Sequence, residues 1–218
     1  MDVISTSPVG VIGFLGILSI LPIIFIMTTS FIKVSMVLIL TRESLGVQQI
    51  PPNIVIYSLS LILSFYVMGP VYKTTTQSLM QDLQSNNLSS EALIKDLTNS
   101  SASVTDFLKK HAPADQQEFF YKSLKQFWTP EMMAHVTKND LIILVPAFMV
   151  SELMQAFKIG FLIYLPSVMI DIIVSNILMA MGMMMMSPVT ISLPIKLLLF
   201  IALDGWSRLI HALLGSYL

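Results

Sequence analysis

The chain has 218 residues, of which 55% are apolar and 11% charged, and its formal net charge is −1. Soluble domains usually carry about 25% charged residues, so this composition indicates a membrane-class chain or one covered on nearly all sides by partners. The small net charge gives no support to a nucleic-acid partner. The absence of Cys excludes disulfides, reactive thiols and Cys-based metal sites.

The first predicted element is an N-terminal helical hairpin over residues 1–71. Its start carries no basic residue, so we expect the first apolar segment to be retained, although an atypical signal cut near residues 10–16 stays open. Pro22 is expected to break or kink this segment, leaving a helix of about 27 Å over residues 23–40. A short polar turn leads to a second apolar segment at residues 54–69, which should pack antiparallel to the first.

The middle of the chain, residues 72–139, differs in kind. It holds 14 of the 25 charged residues, seven of each sign. Partial helical spacing of apolar residues, interrupted by Pro113, predicts a soluble insert of two or three short amphipathic helices. His111 and His135 lie in it without neighbouring ligands, and a metal site needs three or four converging donors. We therefore expect no metal site.

A C-terminal hairpin is predicted over residues 140–218. Its first apolar stretch contains prolines and polar positions, so we expect it to be broken. Two apolar segments flank a run of four methionines: Met183, Met184, Met185 and Met186. Gly182 and Pro188 bracket the run and argue against a continuous helix. Met adapts to many shapes, so the run is either core filling at a turn or a deformable apolar plug.

Hydropathy alone gives four candidate membrane spans, but the later ones contain prolines and charges. Irregular backbone at membrane depth is tolerated only when it is buried in protein or lines a water-filled cavity. The hairpins therefore either span lipid or pack into an oligomer that replaces lipid. The excess of basic residues in cytoplasmic loops predicts Arg42 on the cytoplasmic side and the insert outside.

Charged side chains in the apolar segments are candidates for function. A charge at mid-bilayer costs about 2.5–3.5 kcal/mol, so such residues usually pair or line a pathway. Asp204 and Arg208 have i,i+4 spacing and are expected to pair within one helix. Lys196 lies eight residues before Asp204, about 12 Å along a helix, and so cannot pair with it. Glu152 of the neighbouring segment is its obvious acidic candidate, within or between subunits.

Two other charges have no local partner. Asp171 has no basic residue within one helical turn, so its partner is distant in sequence or belongs to another protein. Lys33 either pairs or extends its ammonium toward lipid headgroups.

Catalysis has no support in the sequence. It contains no Gly-x-Ser-x-Gly, His-Glu-x-x-His or glycine-rich phosphate loop. The few scattered ionisable groups do not make a proton relay either. We expect no enzymatic activity and no cofactor.

Several segments, in order, resemble the FliP/SctR family of type III secretion export-apparatus proteins. They are TSFIK at 29–33, LGVQQIPPN at 45–53, PAFMVSEL at 146–153, AFKIGF at 156–161, YLPSVMID at 164–171, MGMMMMSPVTISLPIK at 181–196 and DGW at 204–206. The insert carries little of the resemblance.

The resemblance implies an all-α scaffold of two broken membrane-type hairpins that assembles into a helical ring. Family members form pentamers with SctS-like and SctT-like subunits, next to a SctU-like switch protein and a SctV-like export gate. The ring conducts unfolded secreted proteins across the bacterial inner membrane, and its core projects into the periplasm.

The resemblance also implies roles for individual residues. The methionine loop corresponds to the family's pore gasket, and Glu152 with Lys196 to an intersubunit ion pair. Asp171 matches an acidic position that contacts partner subunits. We predict the same kind of contact for Lys33 and Asp204.

Two alternatives remain open at this point. The virulence branch of the family is favoured over the flagellar one by the absence of a signal peptide and by Ser187–Pro188, where flagellar relatives often have two prolines. An unrelated transporter or channel, or a membrane anchor for the insert, would be a different class of protein.

Overall fold

The computed structural model of the chain describes residues 8–73, 102–134, 136–183 and 185–218, and every regular element among them is an α-helix. The helices are α1 (Pro8–Thr28), α2 (Phe31–Ser44), α3 (Asn53–Val67), α4 (residues 102–111), α5 (Ala114–Phe127), α6 (Pro130–Met133), α7 (Leu141–Ala180), α8 (Pro188–Ala202) and α9 (Gly205–Gly215), with a further helical turn at residues 69–73. The predicted all-α class is confirmed.

The 40-residue helix α7 is the spine of the chain. At 1.5 Å per residue it is about 60 Å long. Pro146 and Pro166 lie inside it without ending it, so the predicted break in this region is wrong. Each proline removes one backbone hydrogen bond, and the neighbouring turns, packed against other helices, keep the helix continuous. It ends where Gly182 adopts a left-handed φ of 73°.

The N-terminal break is also displaced from its predicted place. Pro22 lies within α1, and the chain instead bends by 70° between α1 and α2. At this bend the hydroxyls of Thr28 and Thr29 donate to the carbonyls of Ile24 and Phe25, both at 2.8 Å. Such side-chain bonds compete with the helical ladder and commonly accompany bends. The predicted helix over residues 23–40 is therefore wrong in its boundaries.

The helices α2 and α3 form the predicted antiparallel hairpin. The start of α2 meets the end of α3, where Ser30 Oγ and Ser64 Oγ lie 3.2 Å apart. Arg42 closes the turn by donating to the carbonyl of Pro51 at 3.1 Å and to Asn53 Oδ1 at 2.6 Å. The polar turn is thus held by a cation of α2.

The hairpin packs along α7, with α2 and α7 running in the same direction. The two helices approach closely at Gly160, where an added Cβ would lie 2.4 Å from Leu40 Cδ1. A larger side chain at this glycine would separate them. The principal core joins α2, α3, α7 and α9, and its buried members are Val34, Val37, Leu38, Ile56, Leu63, Ala156, Leu209 and Leu213.

A second core attaches the insert to the spine. Leu108 of α4 and Ala112, which directly follows α4, pack on Leu144, Ala147 and Phe148 of α7. In the described part, the predicted helical character of the insert is confirmed, and α5 buries no residue fully. The domain boundaries at 71/72 and 139/140 stay predictions.

Within the part of the chain that the structure describes, α7 is able by length and composition to cross a membrane, and up to three spans result if each bent helix pair counts as one. The bent pairs are α1 with α2, at 70°, and α8 with α9, at 61°. The second of the four segments expected from hydropathy forms α3, an apolar helix of 15 residues. That helix is about 22 Å long, shorter than a typical hydrocarbon core.

Candidate functional site

A buried ion pair joins α2 to the middle of α7. Lys33 Nζ lies 3.3 Å from Glu152 Oε1, and the two side chains are 1% and 0% exposed. Lys33 also donates to Gln155 Oε1 at 3.1 Å. Burial of this kind excludes the alternative in which Lys33 extends toward lipid headgroups.

Tyr217 completes this site from the segment that follows α9. Its hydroxyl donates to Glu152 Oε2, and Lys33 Nζ lies 3.6 Å from the centroid of its ring. Each carboxylate oxygen of Glu152 therefore has its own donor. Because a buried charge without partners is costly, this complete set of contacts accounts for a carboxylate in the centre of the chain.

A second ion pair links α7 to α8. Lys196 Nζ lies 2.6 Å from Asp171 Oδ2, with the lysine side chain 7% exposed and the aspartate side chain 41% exposed. The two residues are brought together because α8 turns back along α7 after the methionine loop. Of the two predicted alternatives for Asp171, a partner distant in sequence and a partner in another protein, the structure shows the first.

The predicted pair of Glu152 with Lys196 is not among the ion pairs of the described residues. Glu152 binds Lys33, and Lys196 binds Asp171. A pair between subunits is a property of an assembly, and it stays a prediction here.

Asp204 does not form the expected pair with Arg208. It adopts a left-handed conformation, with φ 51° and ψ 43°, directly before α9. It therefore lies at the 61° bend between α8 and α9, and not inside one helix where i,i+4 side chains would meet. The ion pairs of the described residues do not include Asp204 with Arg208, so this expectation is wrong.

The methionine segment forms the loop between α7 and α8, as Gly182 and Pro188 indicated. Met183 and Met186 are exposed, and Met185 is fully exposed. Met184 lies outside the described residues. Side chains that point to solvent do not fill a core, so in the single chain the core-filling interpretation fails for these three methionines.

Two features of the site were missed by sequence reasoning, namely Tyr217 and Gln155. Leu209, Leu213 and Tyr217 are all buried and follow each other at i,i+4 spacing. That spacing extends the buried face of α9, and it was the available signal for Tyr217. Gln155 carried no signal beyond its position three residues after Glu152.

The described residues contain no group of three or more His, Asp or Glu side chains arranged to hold a metal ion. His111 is instead part of an aromatic group, with its ring centroid 4.7 Å from that of Phe107. Burial lowers the pKa of His111 to about 4, and the charges of Lys110 and Lys33 add to this effect. The histidine is therefore neutral at ordinary pH. His135 lies outside the described residues.

Comparison with known proteins gives a consistent picture. The sequence profile of the FliP family matches residues 14–213. Yop proteins translocation protein R of Yersinia pestis is 51% identical over 196 residues, 90% of each chain. Virulence protein YscR of Salmonella typhimurium is 43% identical over 217 residues, 97% of each chain. Harpin secretion protein HrcR of Erwinia amylovora is 41% identical over 205 residues, 94% of each chain.

Proposed function

Because the chain belongs to the FliP family, as a subunit of a type III secretion export gate, we propose that it builds the wall of a protein-conducting channel without catalytic activity. The channel passes unfolded secreted proteins across the bacterial inner membrane. Relatives named as virulence and harpin secretion proteins favour the virulence branch over the flagellar one.

The observation that carries this proposal is the bare apolar surface of the long helices. Only 17% of the most apolar part of α7 is buried within the chain. Its exposed side chains include Phe157, Phe161, Leu162, Met169 and Ile173. Apolar surface on this scale marks contact with other proteins or with lipid. Copies of the chain and partner subunits would cover it.

The assembly we propose is a ring of five copies with SctS-like and SctT-like subunits. A SctU-like switch protein and a SctV-like export gate would lie next to it. The bends between α1 and α2 and between α8 and α9 favour packing in an oligomer, because bent helices at membrane depth need protein around them. We place the ring in the inner membrane, with its core projecting toward the periplasm.

The methionine loop is proposed as the seal of the closed ring. The loop projects Met183, Met185 and Met186 away from the rest of the chain. Unbranched apolar side chains can pack against each other across a lumen and repack around a passing polypeptide. One loop cannot close a lumen alone, so the sealing role belongs to a ring of loops. Met184 is included in this role because it lies within the same run of methionines.

Charged residues are proposed to position the copies. In the assembly Lys196 would contact Glu152 of a neighbouring copy, which requires each to exchange its partner within the chain. Asp171, with its side chain 41% exposed, and Asp204, which is exposed, are candidate contacts to partner subunits. Lys33 would contact a partner only if its buried site opened.

The mass of the detergent-extracted complex tests the proposal. We expect a discrete multiple of the chain, with further mass when SctS-like and SctT-like subunits are co-expressed. A monomer in both preparations would contradict it. Small-solute flux through the purified chain alone would instead indicate an independent transporter.

A further inference from the structure

The side chain of Tyr217 lies in a site built by three other parts of the chain. Its hydroxyl donates to Glu152 of α7, and its ring covers the ammonium of Lys33 of α2. Its ring also contacts α4, stacking on Phe107 at 6.4 Å and meeting His111 edge-on at 5.3 Å. Tyr217 is 7% exposed. One side chain thus touches the N-terminal hairpin, the spine and the insert.

The insert also meets the spine directly. The helix α4 is held to α7 by Leu108, Ala112 and the bond from Ser151 Oγ to the carbonyl of His111, at 3.3 Å. Phe107 contacts both Phe148 and Tyr217. Without Tyr217, Phe107 and the ammonium of Lys33 would both lose an aromatic contact.

We propose that Tyr217 acts as a latch, in which a tyrosine side chain docks between the ion pair and the insert and holds α4 against α7. The ring and the hydroxyl have separate tasks. The ring joins Phe107 and His111 to the cation of Lys33. The hydroxyl satisfies the second oxygen of Glu152, which a phenylalanine would leave buried without a donor.

The family match ends at residue 213, so it gives Tyr217 no role. The inference does not depend on the proposed export function either, because it concerns contacts within one chain. It can be tested on the purified full chain in detergent, in the absence of any secretion partner.

Hydrogen–deuterium exchange of the backbone at residues 102–112 measures the latch. We expect Tyr217→Ala to raise exchange there about tenfold, and Tyr217→Phe to raise it by a smaller factor. The matched control is Tyr66→Ala, since Tyr66 is 74% exposed on α3, and it should leave exchange at 102–112 unchanged. Exchange in Tyr217→Ala equal to that of the unmodified chain would overturn the proposal.

A second measurement separates the latch from a general loss of folding. Tyr217→Phe is made both in the unmodified chain and together with Glu152→Gln. If the hydroxyl acts through the Glu152 carboxylate, its removal has a smaller effect on exchange when that carboxylate is already an amide. An equal effect in both backgrounds would overturn the role of the hydroxyl, including when Tyr217→Ala yields no folded chain.

Discussion

Lys33 and Glu152 are 119 residues apart in sequence, and yet their side chains meet at 3.3 Å in the centre of the chain. The pair fixes which turn of α2 lies beside which turn of α7. Buried ion pairs often contribute little net stability compared with apolar residues of similar volume. We infer that this one specifies the register of the hairpin on the spine, because a slip would leave two charges buried without partners.

Removing one member of the pair should therefore strongly destabilise the folded chain. Glu152→Gln or Lys33→Met is expected to cost about 3–5 kcal/mol of unfolding free energy, because the remaining group stays buried. Thermal unfolding of the purified chain in detergent measures the loss. Glu118→Gln is the control, since Glu118 pairs with Lys122 at 2.8 Å on the exposed surface of α5. It should leave the midpoint of thermal unfolding close to that of the unmodified chain, because exposed ion pairs contribute little to stability. Equal losses in both variants would count against the buried role.

The pair between Lys196 and Asp171 allows a charge exchange. Lys196→Glu should destabilise the α7–α8 hairpin by placing two carboxylates together, and the added change Asp171→Lys should restore much of the loss. The midpoint of thermal unfolding reports this within one chain. Glu43→Lys, which adds the same charge on exposed surface, is the control and should not restore it. Restoration by both would show that net charge, and not the pair, decides the outcome.

Assembly gives a separate readout for the proposed pair between subunits. There, Glu152→Lys should partly recover ring formation in Lys196→Glu, as judged by the mass of the extracted complex, when Lys33→Glu is added so that the buried pair keeps opposite charges. If only Asp171→Lys recovers the ring, the contact between copies is not made by Glu152.

Close packing at Gly160 makes a third prediction. A valine there would press on Leu40 and should cost about 1–3 kcal/mol by overpacking, because its Cβ alone would lie 2.4 Å from Leu40 Cδ1. Gly16→Val is the control, since nothing lies within 4 Å of a Cβ added at Gly16. Shortening Leu40 to Ala should relieve the strain in Gly160→Val. If it does not, another contact limits the approach of α2 and α7.

Acid should loosen the insert through His111. Its pKa is lowered from 6.5 to about 4, so between these values the unfolded chain binds the proton and the folded chain does not. The stability that His111 contributes to the folded chain is fully present above pH 6.5 and is lost as the pH falls toward about 4. Thermal unfolding followed from neutral to acid pH should show a steeper loss in the unmodified chain than in His111→Phe. An unchanged profile in His111→Phe would rule out this histidine as the cause.

The sequence predicted the class of fold because its signals are local. The apolar segments and short turns define helices, and Gly182 with Pro188 placed the loop between α7 and α8. The helix breaks predicted at prolines were wrong, since Pro22, Pro146 and Pro166 each lie within a helix. A single missing hydrogen bond is outweighed by the packing of a long helix, and that packing is not readable from one sequence.

Partner choice among the buried charges was beyond the sequence for a related reason. Lys33, Glu152, Asp171 and Lys196 were all singled out, but spacing cannot tell which distant turns meet. The pairing depends on how α2 and α8 lie along α7. Asp204 illustrates the same limit. Its i,i+4 pair with Arg208 requires one continuous helix, but the chain bends at the left-handed Asp204.

The central claim is that a ring of methionine loops seals the export gate, and leakage through the resting assembly tests it most directly. Met183, Met184, Met185 and Met186 are replaced together by Ala, and ion conductance or dye flux is measured with the mass of the complex as the check on assembly. The account predicts a leaky assembly of unchanged mass, because alanine cannot fill the lumen. A tight assembly of unchanged mass would contradict it.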